Sequence, residues 1–344
     1  MERRSCFTCM ALIAWTAAAI AQPTDGFAQS ADLLKGKEVS IYIGSTTGGG
    51  YDQYARLLGR HIGTHLPGSP KVIPRNMPAD RQLMNHIYNI APKDGTSIAT
   101  AQRNAIFDPI FYESENFQFE ATKLTWLGSM NSEVSVCVVW HTAPFKTLED
   151  TKKMETIFGS SGAVSTGSTN AKMLNEMIGT KIKTIEGYPG STEVMLAMER
   201  GEVHGRCGLG WDSIKSRYQN WLDEKKIVVL AQFAVDKHPD LPDVPFVMDF
   251  ARNDDDRAML VLSLGPGKMG RPYFAPPNLP RERVEMLRRA FDASMTDPQL
   301  LADAAKMKVE IDWMNGEAVQ SMVESIYNTP KNVVEKVRLI TAGK

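Results

Sequence analysis

Between Val39 and His65 the chain passes from a short strand through consecutive glycines into an amphipathic helix, an order that confines it to folds built from strand-turn-helix units. Val39, Ile41 and Ile43 alternate with Ser40 and Tyr42 at the period of a strand. Gly48, Gly49 and Gly50 follow. Tyr51, Tyr54, Leu58 and Ile62 then share one helix face at spacings of three, four and four. Such a turn presents bare N–H groups and the positive end of a helix to whatever lies above it, which favours an anion. No Lys-Ser or Lys-Thr pair follows these glycines, so the turn suits a small carboxylate better than a nucleotide.

The unit recurs. Val72-Ile73 precedes a helix with Leu83, Ile87 and Ile90 on one face, and the turn Lys93-Asp94-Gly95 leads to a strand from Ser97 to Thr100. A second series starts with a strand from Val134 to Trp140, and Thr147 with Asp150 marks a capping box. Strands follow at Thr156 to Phe158, Ile182 to Ile185, Glu202 to Cys207 and Ile227 to Phe233. Between them lie helices ending at Gly179 and Gly201 and one from Trp211 to Leu222. From Leu260 the chain reads as an extended return through Pro272, Pro276 and Pro277 into C-terminal helices. Val284, Leu287, Phe291 and Met295 form an apolar stripe there, and Asp297 caps the helix that Pro298 begins. The run Asp254 to Asp256 reads as a solvated loop or a helix start. This alternation predicts an α/β architecture with largely parallel sheets.

A chain of 344 residues with 43% hydrophobic side chains can build cores for two such domains. With 39 basic against 40 acidic residues, no global field draws it to nucleic acid or an anionic membrane. Residues 1–28 read as an export signal: Arg3-Arg4, an apolar run from Met10 to Ile20, and cleavage after Ala21 or Ala28. That run is too short for a lasting membrane anchor. The residues after Arg3-Arg4 match a twin-arginine signal poorly, and Cys6 and Cys9 precede the apolar run, against a lipid-anchored cysteine. Losing this leader leaves Cys137 and Cys207 in an oxidising compartment. They are either partners on neighbouring strands or two buried thiols.

In open α/β sheets, ligands sit where the loops leaving the strands converge. Here those loops are uniformly small and hydroxylic: Thr46-Thr47-Gly48-Gly49-Gly50, Ser160-Ser161-Gly162-Ala163, Tyr188-Pro189-Gly190-Ser191 and Arg206-Cys207-Gly208. Asp52 either orients the first loop or receives a ligand hydroxyl. Arg81, Arg103 and Arg206 are candidates for a two-pronged carboxylate contact, each against the bland reading of a surface arginine. Tyr188 and Trp211 are candidate pocket walls, whereas Trp126 and Trp140 read as core. Enzymatic templates fail. His61 and His65 have the spacing of a metal pair but no third ligand and read as solvent-facing, and no Gly-x-Ser-x-Gly elbow occurs. Cys207 and His204 would point to opposite faces of one strand.

Thr46-Thr47-Gly48-Gly49-Gly50-Tyr51-Asp52 with Ala55-Arg56-Leu57-Leu58, then Pro92-Lys93-Asp94-Gly95-Thr96, Gly187-Tyr188-Pro189-Gly190-Ser191 and Phe274-Ala275-Pro276-Pro277, stand in the order and spacing of a known family. Also in place are Gly159-Ser160-Ser161-Gly162 and Ala197-Met198-Glu199-Arg200-Gly201-Glu202-Val203. On these motifs the chain resembles the solute receptors of tripartite tricarboxylate transporters, the Bug family. The resemblance implies a type II periplasmic binding protein: two α/β lobes joined by two crossing strands that close over a ligand. Lobe 1 would comprise 33–132 with 263–344, and lobe 2 would comprise 133–262. It also implies that a small organic acid is held by Thr46 to Asp52, by Gln102, Arg103 and Asn104, and by the second-lobe loops at Ser160, Tyr188 and Arg206. One departure stands out. Where the family has a glycine-rich run after its second strand, this chain has Pro78-Ala79-Asp80-Arg81-Gln82, which makes a direct Arg81 contact or a changed ligand class an open expectation.

The expected function is that of a monomeric periplasmic receptor, without catalysis, cofactor or metal, delivering its ligand to membrane permease subunits or a sensor. The rival readings are a secreted α/β enzyme acting on a carboxylate or ester, and a receptor for an aromatic or amino-acid ligand.

Overall fold

The computed structural model describes residues 33–342 apart from positions 46, 78, 112–116, 164 and 189; the proposed leader lies outside the described residues. Strand β1 (Glu38–Ile43) buries Val39, Ile41 and Ile43 completely, and the helix Gly50–His65 buries Tyr51, Tyr54, Leu58 and Ile62 against it. β2 (Lys71–Asn76) and β3 (Ser97–Thr100) flank β1 in parallel. The helix Asp80–Asn89 joins them, burying Leu83 and Ile87. Ile90 was expected on that face but lies past the helix end and is 72% exposed.

After β4 (Thr125–Ser129) the chain leaves this sheet and enters the second as β5 (Ser135–Trp140). There follow β6 (Thr156–Gly159), β7 (Ile182–Ile185), β8 (Gly205–Gly210) and β9 (Ile227–Phe233), with helices Thr166–Ile178 and Ser191–Glu199 packed on the sheet. The chain then returns as β10 (Pro272–Ala275), with β11 (Met314–Asn315) at the edge. The first sheet has the order β11-β4-β10-β3-β1-β2, the second β7-β6-β8-β5-β9.

Both sheets are mixed, which corrects the largely parallel expectation. In each, the strand arriving from the other sheet, β10 or β5, enters antiparallel between its neighbours. The two crossings are hydrogen-bonded to each other: Met130 N to Arg271 O (3.1 Å), Gly270 N to Asn131 O (2.9 Å) and Glu133 N to Gly267 O (2.8 Å). Together they are the paired connection between the two sheets.

Other local expectations hold or shift for identifiable reasons. The Thr147–Asp150 capping box forms, and Asp297 accepts from Gln299 N (2.7 Å) at the head of Pro298–Met307. The strand placed at Glu202 to Cys207 is instead Gly205–Gly210. His204 bonds the Ile157 backbone through both its N–H and its ring, and pairing with β5 begins only beyond it. The return from Leu260 is helical through Leu264, in the helix Asp254–Leu264 that Asn253 caps. The helix at Trp211 breaks at Tyr218 into Trp211–Arg217 and Gln219–Asp223. Gly265 to Gly270 form a Gly-x-Gly-x-x-Gly run, but it follows a helix and leads into a crossing, so it cannot cradle phosphates ahead of a helix.

His61 and His65 are not solvent-facing. They bond Asp303 (3.1 Å) and Asp297 (2.9 Å) because the helix Pro298–Met307 packs over Gly50–His65. Cys137 on β5 and Cys207 on β8 are joined as a disulfide, which resolves the open choice. Trp126 and Trp140 are buried core. The last helix, Lys331–Ala342, packs against Asp254–Leu264 and against Thr166–Ile178, a helix that lies on the second sheet. Among the described residues no group of His, Cys, Asp and Glu could hold a metal, and no helix is long and apolar enough to cross a membrane.

Candidate functional site

Where the two sheets face each other lies a cleft of about 310 Å³, lined from both sides and from the crossings. From the first lobe come Gly49, Gly50 and Tyr51, then Gln102, Arg103 and Asn104; the second contributes Thr166, Ser191, Gly208 to Gly210, Ser213, Arg217 and Tyr218; the crossings contribute Glu133 and Arg271. Three of the longer helices begin at this wall, at Gly50, Thr166 and Ser191, and the short helix Trp211–Arg217 starts beside Gly210. None of the three longer helices carries a side-chain cap, so no capping side chain takes up their first amides.

Each loop is held in place from behind. Asp52 is buried and orients the glycine turn: it accepts from Gly48 N (2.8 Å), Asn76 Nδ2 (2.8 Å) and Arg56 Nε (2.9 Å). Burial pushes its carboxyl up, but the Arg56, Gly48 and Asn76 bonds outweigh that and hold it below the ordinary value. Asp80, within the segment that replaces the glycine-rich run, accepts from Gln102 N (3.0 Å), and burial pushes its carboxyl up to about 6. The Tyr51 hydroxyl accepts from Arg103 N (2.9 Å), so the first helix also fixes the 102–104 loop. On the second lobe, Gly208 has φ +73 and lies so close to the start of Thr166–Ile178 that an added Cβ would sit 2.6 Å from Gly167 N; only glycine brings β8 that near.

At the floor is a buried ion triad. Glu133, from the first crossing, receives Arg103 through both oxygens (2.8 and 3.1 Å) and Arg271, from the second crossing, at 2.5 Å. Burial alone would raise the Glu133 carboxyl, yet the two guanidiniums outweigh it and hold the group at about 2. Arg271 also lies over the Tyr51 ring (4.5 Å) and against Gly50, where an added Cβ would meet Nη2 at 3.0 Å; its buried Nε has no partner among the described residues. The triad therefore carries one net positive charge beside three positive helix ends.

The other sequence-derived candidates lie elsewhere. Thr46 falls outside the described residues, and Thr47 bonds Asn76 on the exposed side. The exposed Arg81 stacks on the Phe117 ring (4.5 Å) rather than facing the cleft. Ser160 belongs to a hydroxyl network with Ser165 (2.6 Å) and Ser168 (2.9 Å), while Ser161 and Ala163 are exposed and Gly162 accepts from Ser165. Gly190 caps the helix that Ser191 begins. Tyr188 packs on the second-lobe core, and Trp211 is buried with its Nε1–H on Asp240 (3.1 Å). Arg206 is buried behind the wall, its guanidinium on the carbonyls of Cys207 (3.3 Å), Ser191 (3.2 Å) and Gly208 (3.5 Å); burial pulls its pKa down to about 10. Sequence reasoning missed Glu133, Arg271 and Arg217. For Glu133 and Arg271 the usable signal was ionisable residues at the ends of otherwise apolar crossing strands; Arg217, in the last turn of a helix, had none.

Two α/β lobes joined by paired crossings, with a polar cleft between them, define a solute-binding protein of the type II architecture. The family model described as the tripartite tricarboxylate transporter family receptor matches residues 65–339, and the chain belongs to that family. It is a family of solute-binding receptors, not of enzymes. The chain is similar to a TctC solute-binding protein from Polaromonas (TM-score 0.67, 17% identity, 87% of this chain and 98% of that one). It is also similar to a Rhodopseudomonas palustris protein solved with adipate (TM-score 0.60, 18% identity, 89% and 97%). A Pseudomonas sp. (strain P51) protein, described as a UPF0065 protein in the tcbD-tcbE intergenic region, is 21% identical over 318 residues, 91% of this chain and 90% of its own length.

Proposed function

We propose that this chain is the periplasmic receptor of a tripartite tricarboxylate-type transporter and captures a small organic acid as its anion between the lobes. The convergence of three uncapped helix starts and a net-positive ion triad on one cavity carries this reading. In it, Gly49, Gly50, Gln102, Asn104 and Ser191 offer hydrogen bonds, and Arg271 and Arg103 supply charge. Closure gains its free energy from contacts that only the apposed lobes make. The lobes are taken as 33–132 with 263–344, and 133–262, the last helix reaching across to the second. Export with removal of the leader, a monomeric state and delivery to permease subunits or a sensor belong to the same proposal, and the adipate complex of the Rhodopseudomonas palustris relative supports the ligand class.

A thermal-shift and calorimetric screen of organic acids tests it. A ligand at a hundred times its dissociation constant should stabilise the protein by about 2.7 kcal/mol. No stabilisation by any mono-, di- or tricarboxylate would overturn the reading.

A further inference from the structure

Behind the Arg103–Glu133 pair lies a second cavity, of about 120 Å³, that adjoins the cleft: Arg103, Asn104, Glu133 and Thr166 line both. Beyond those shared residues the character changes. Phe107, Phe111, Met173, Phe233, Leu262 and Leu264 supply an aromatic and aliphatic surface. The polar side chains among them are already paired within the protein: Asn170 Nδ2 donates to Ser135 Oγ (3.0 Å), Ser263 Oγ to Met259 O (2.9 Å) and Thr169 Oγ1 to Thr166 O (3.4 Å). Two carboxyl groups stand in the wall. Glu133 is held by its two arginines, and Asp108 is a half-buried acid. A guest group entering this chamber finds mostly apolar contact, and the polar side chains named above keep their donors within the protein, so a second carboxylate there would lose its water without gaining a free donor from them.

We propose that the ligand is a monoanion with an apolar arm: its single carboxylate lies in the cleft by Arg271 and the helix starts, and its hydrocarbon arm passes Asn104 and Thr166 into this chamber. This rests on the receptor reading above and narrows its ligand class away from diacids.

Calorimetry on the full receptor with straight-chain monocarboxylates from butanoate to octanoate, and with adipate, tests it. Affinity should rise about fourfold per added methylene, the worth of burying one, until the chamber is full. Hexanoate should bind more tightly than adipate, which has the same carbon count and a second charge. Thr169→Phe and Ser263→Leu, which fill the chamber from two different helices, should flatten the series. Adipate binding at least as tightly as hexanoate, or a chain-length gain that survives in both filled variants, would overturn the inference and leave the receptor reading standing. Should neither variant fold, the wild-type comparison of hexanoate with adipate decides alone. If no acid of either class binds, the receptor reading itself has failed.

Discussion

The two walls of the cleft are built on different principles. The first-lobe wall and the crossings carry fixed charge, with Arg103, Glu133 and Arg271 locked in one buried triad and Tyr51 bracing it. Apart from the exposed Arg217, the second-lobe wall carries no charged side chain: it offers Thr166, Ser191, Ser213, Gly208 to Gly210 and the Tyr218 ring, while its other arginine, Arg206, is turned onto carbonyls behind the surface. The difference assigns two tasks. On the receptor reading proposed above, a charge held in a buried network cannot follow a moving guest and would set where an anion rests, while amide dipoles at the ends of short loops would shape a closed state around it.

The sharpest way to break this contrast is to dismantle the triad. Glu133→Gln leaves two buried guanidiniums facing each other and should destabilise the fold by about 3–5 kcal/mol in urea unfolding. The wild-type group sits near 2, below its ordinary 4.5, so its contribution is complete above about pH 4.5 and is lost as the pH falls toward 2. The variant should lack that acid limb.

Next in size, Arg271→Met should weaken organic-acid binding by about 1.5–3 kcal/mol, roughly 10- to 150-fold in calorimetric Kd. Arg217→Ala, on the exposed opposite wall, should cost less than about 1 kcal/mol. Equal losses would erase the distinction between the walls.

A third measurement concerns the rim, where Asp212 from the second lobe meets Glu310 from the first, with Lys215 bonded to Glu310 and Asn131 donating to Asp212 (3.1 Å). Burial, then the Glu310 and Glu133 charges, push Asp212 up to about 7 from 3.8. The native state thus holds this proton more tightly than the unfolded chain, so stability should decline as pH rises from about 4 to 7. Asp212→Asn should remove that slope in thermal unfolding against pH. The smallest effect is expected at Arg81→Ala, within about 0.5 kcal/mol for both stability and binding, because its guanidinium stacks on Phe117 away from the cleft.

Much of the scaffold was legible because local rules fix it. The two-residue alternation of Val39, Ile41 and Ile43, the Thr147–Asp150 box and the Asp297–Pro298 start each involve neighbours within a few residues and appear as read. Of the proposed site, the glycine turn, Gln102 to Asn104 and Ser191 do line the cleft. Arg81, Tyr188 and Trp211 do not, since whether such a side chain faces a cavity or a core depends on what packs over it. His61 and His65 show the same limit: their partners lie more than two hundred residues away, on a helix whose docking no local pattern announces.

The sequence by itself determined the strand-turn-helix units and the amide-rich turns that end them, because hydrophobic periodicity and glycine conformation act over a few residues. Only the tertiary structure decided that Glu133 and Arg271 meet, that the inserted strands run antiparallel, and that Cys137 and Cys207 join. Those outcomes hang on two crossings separated by more than a hundred residues. Their pairing energy exists only once both sheets have formed and brought the segments side by side.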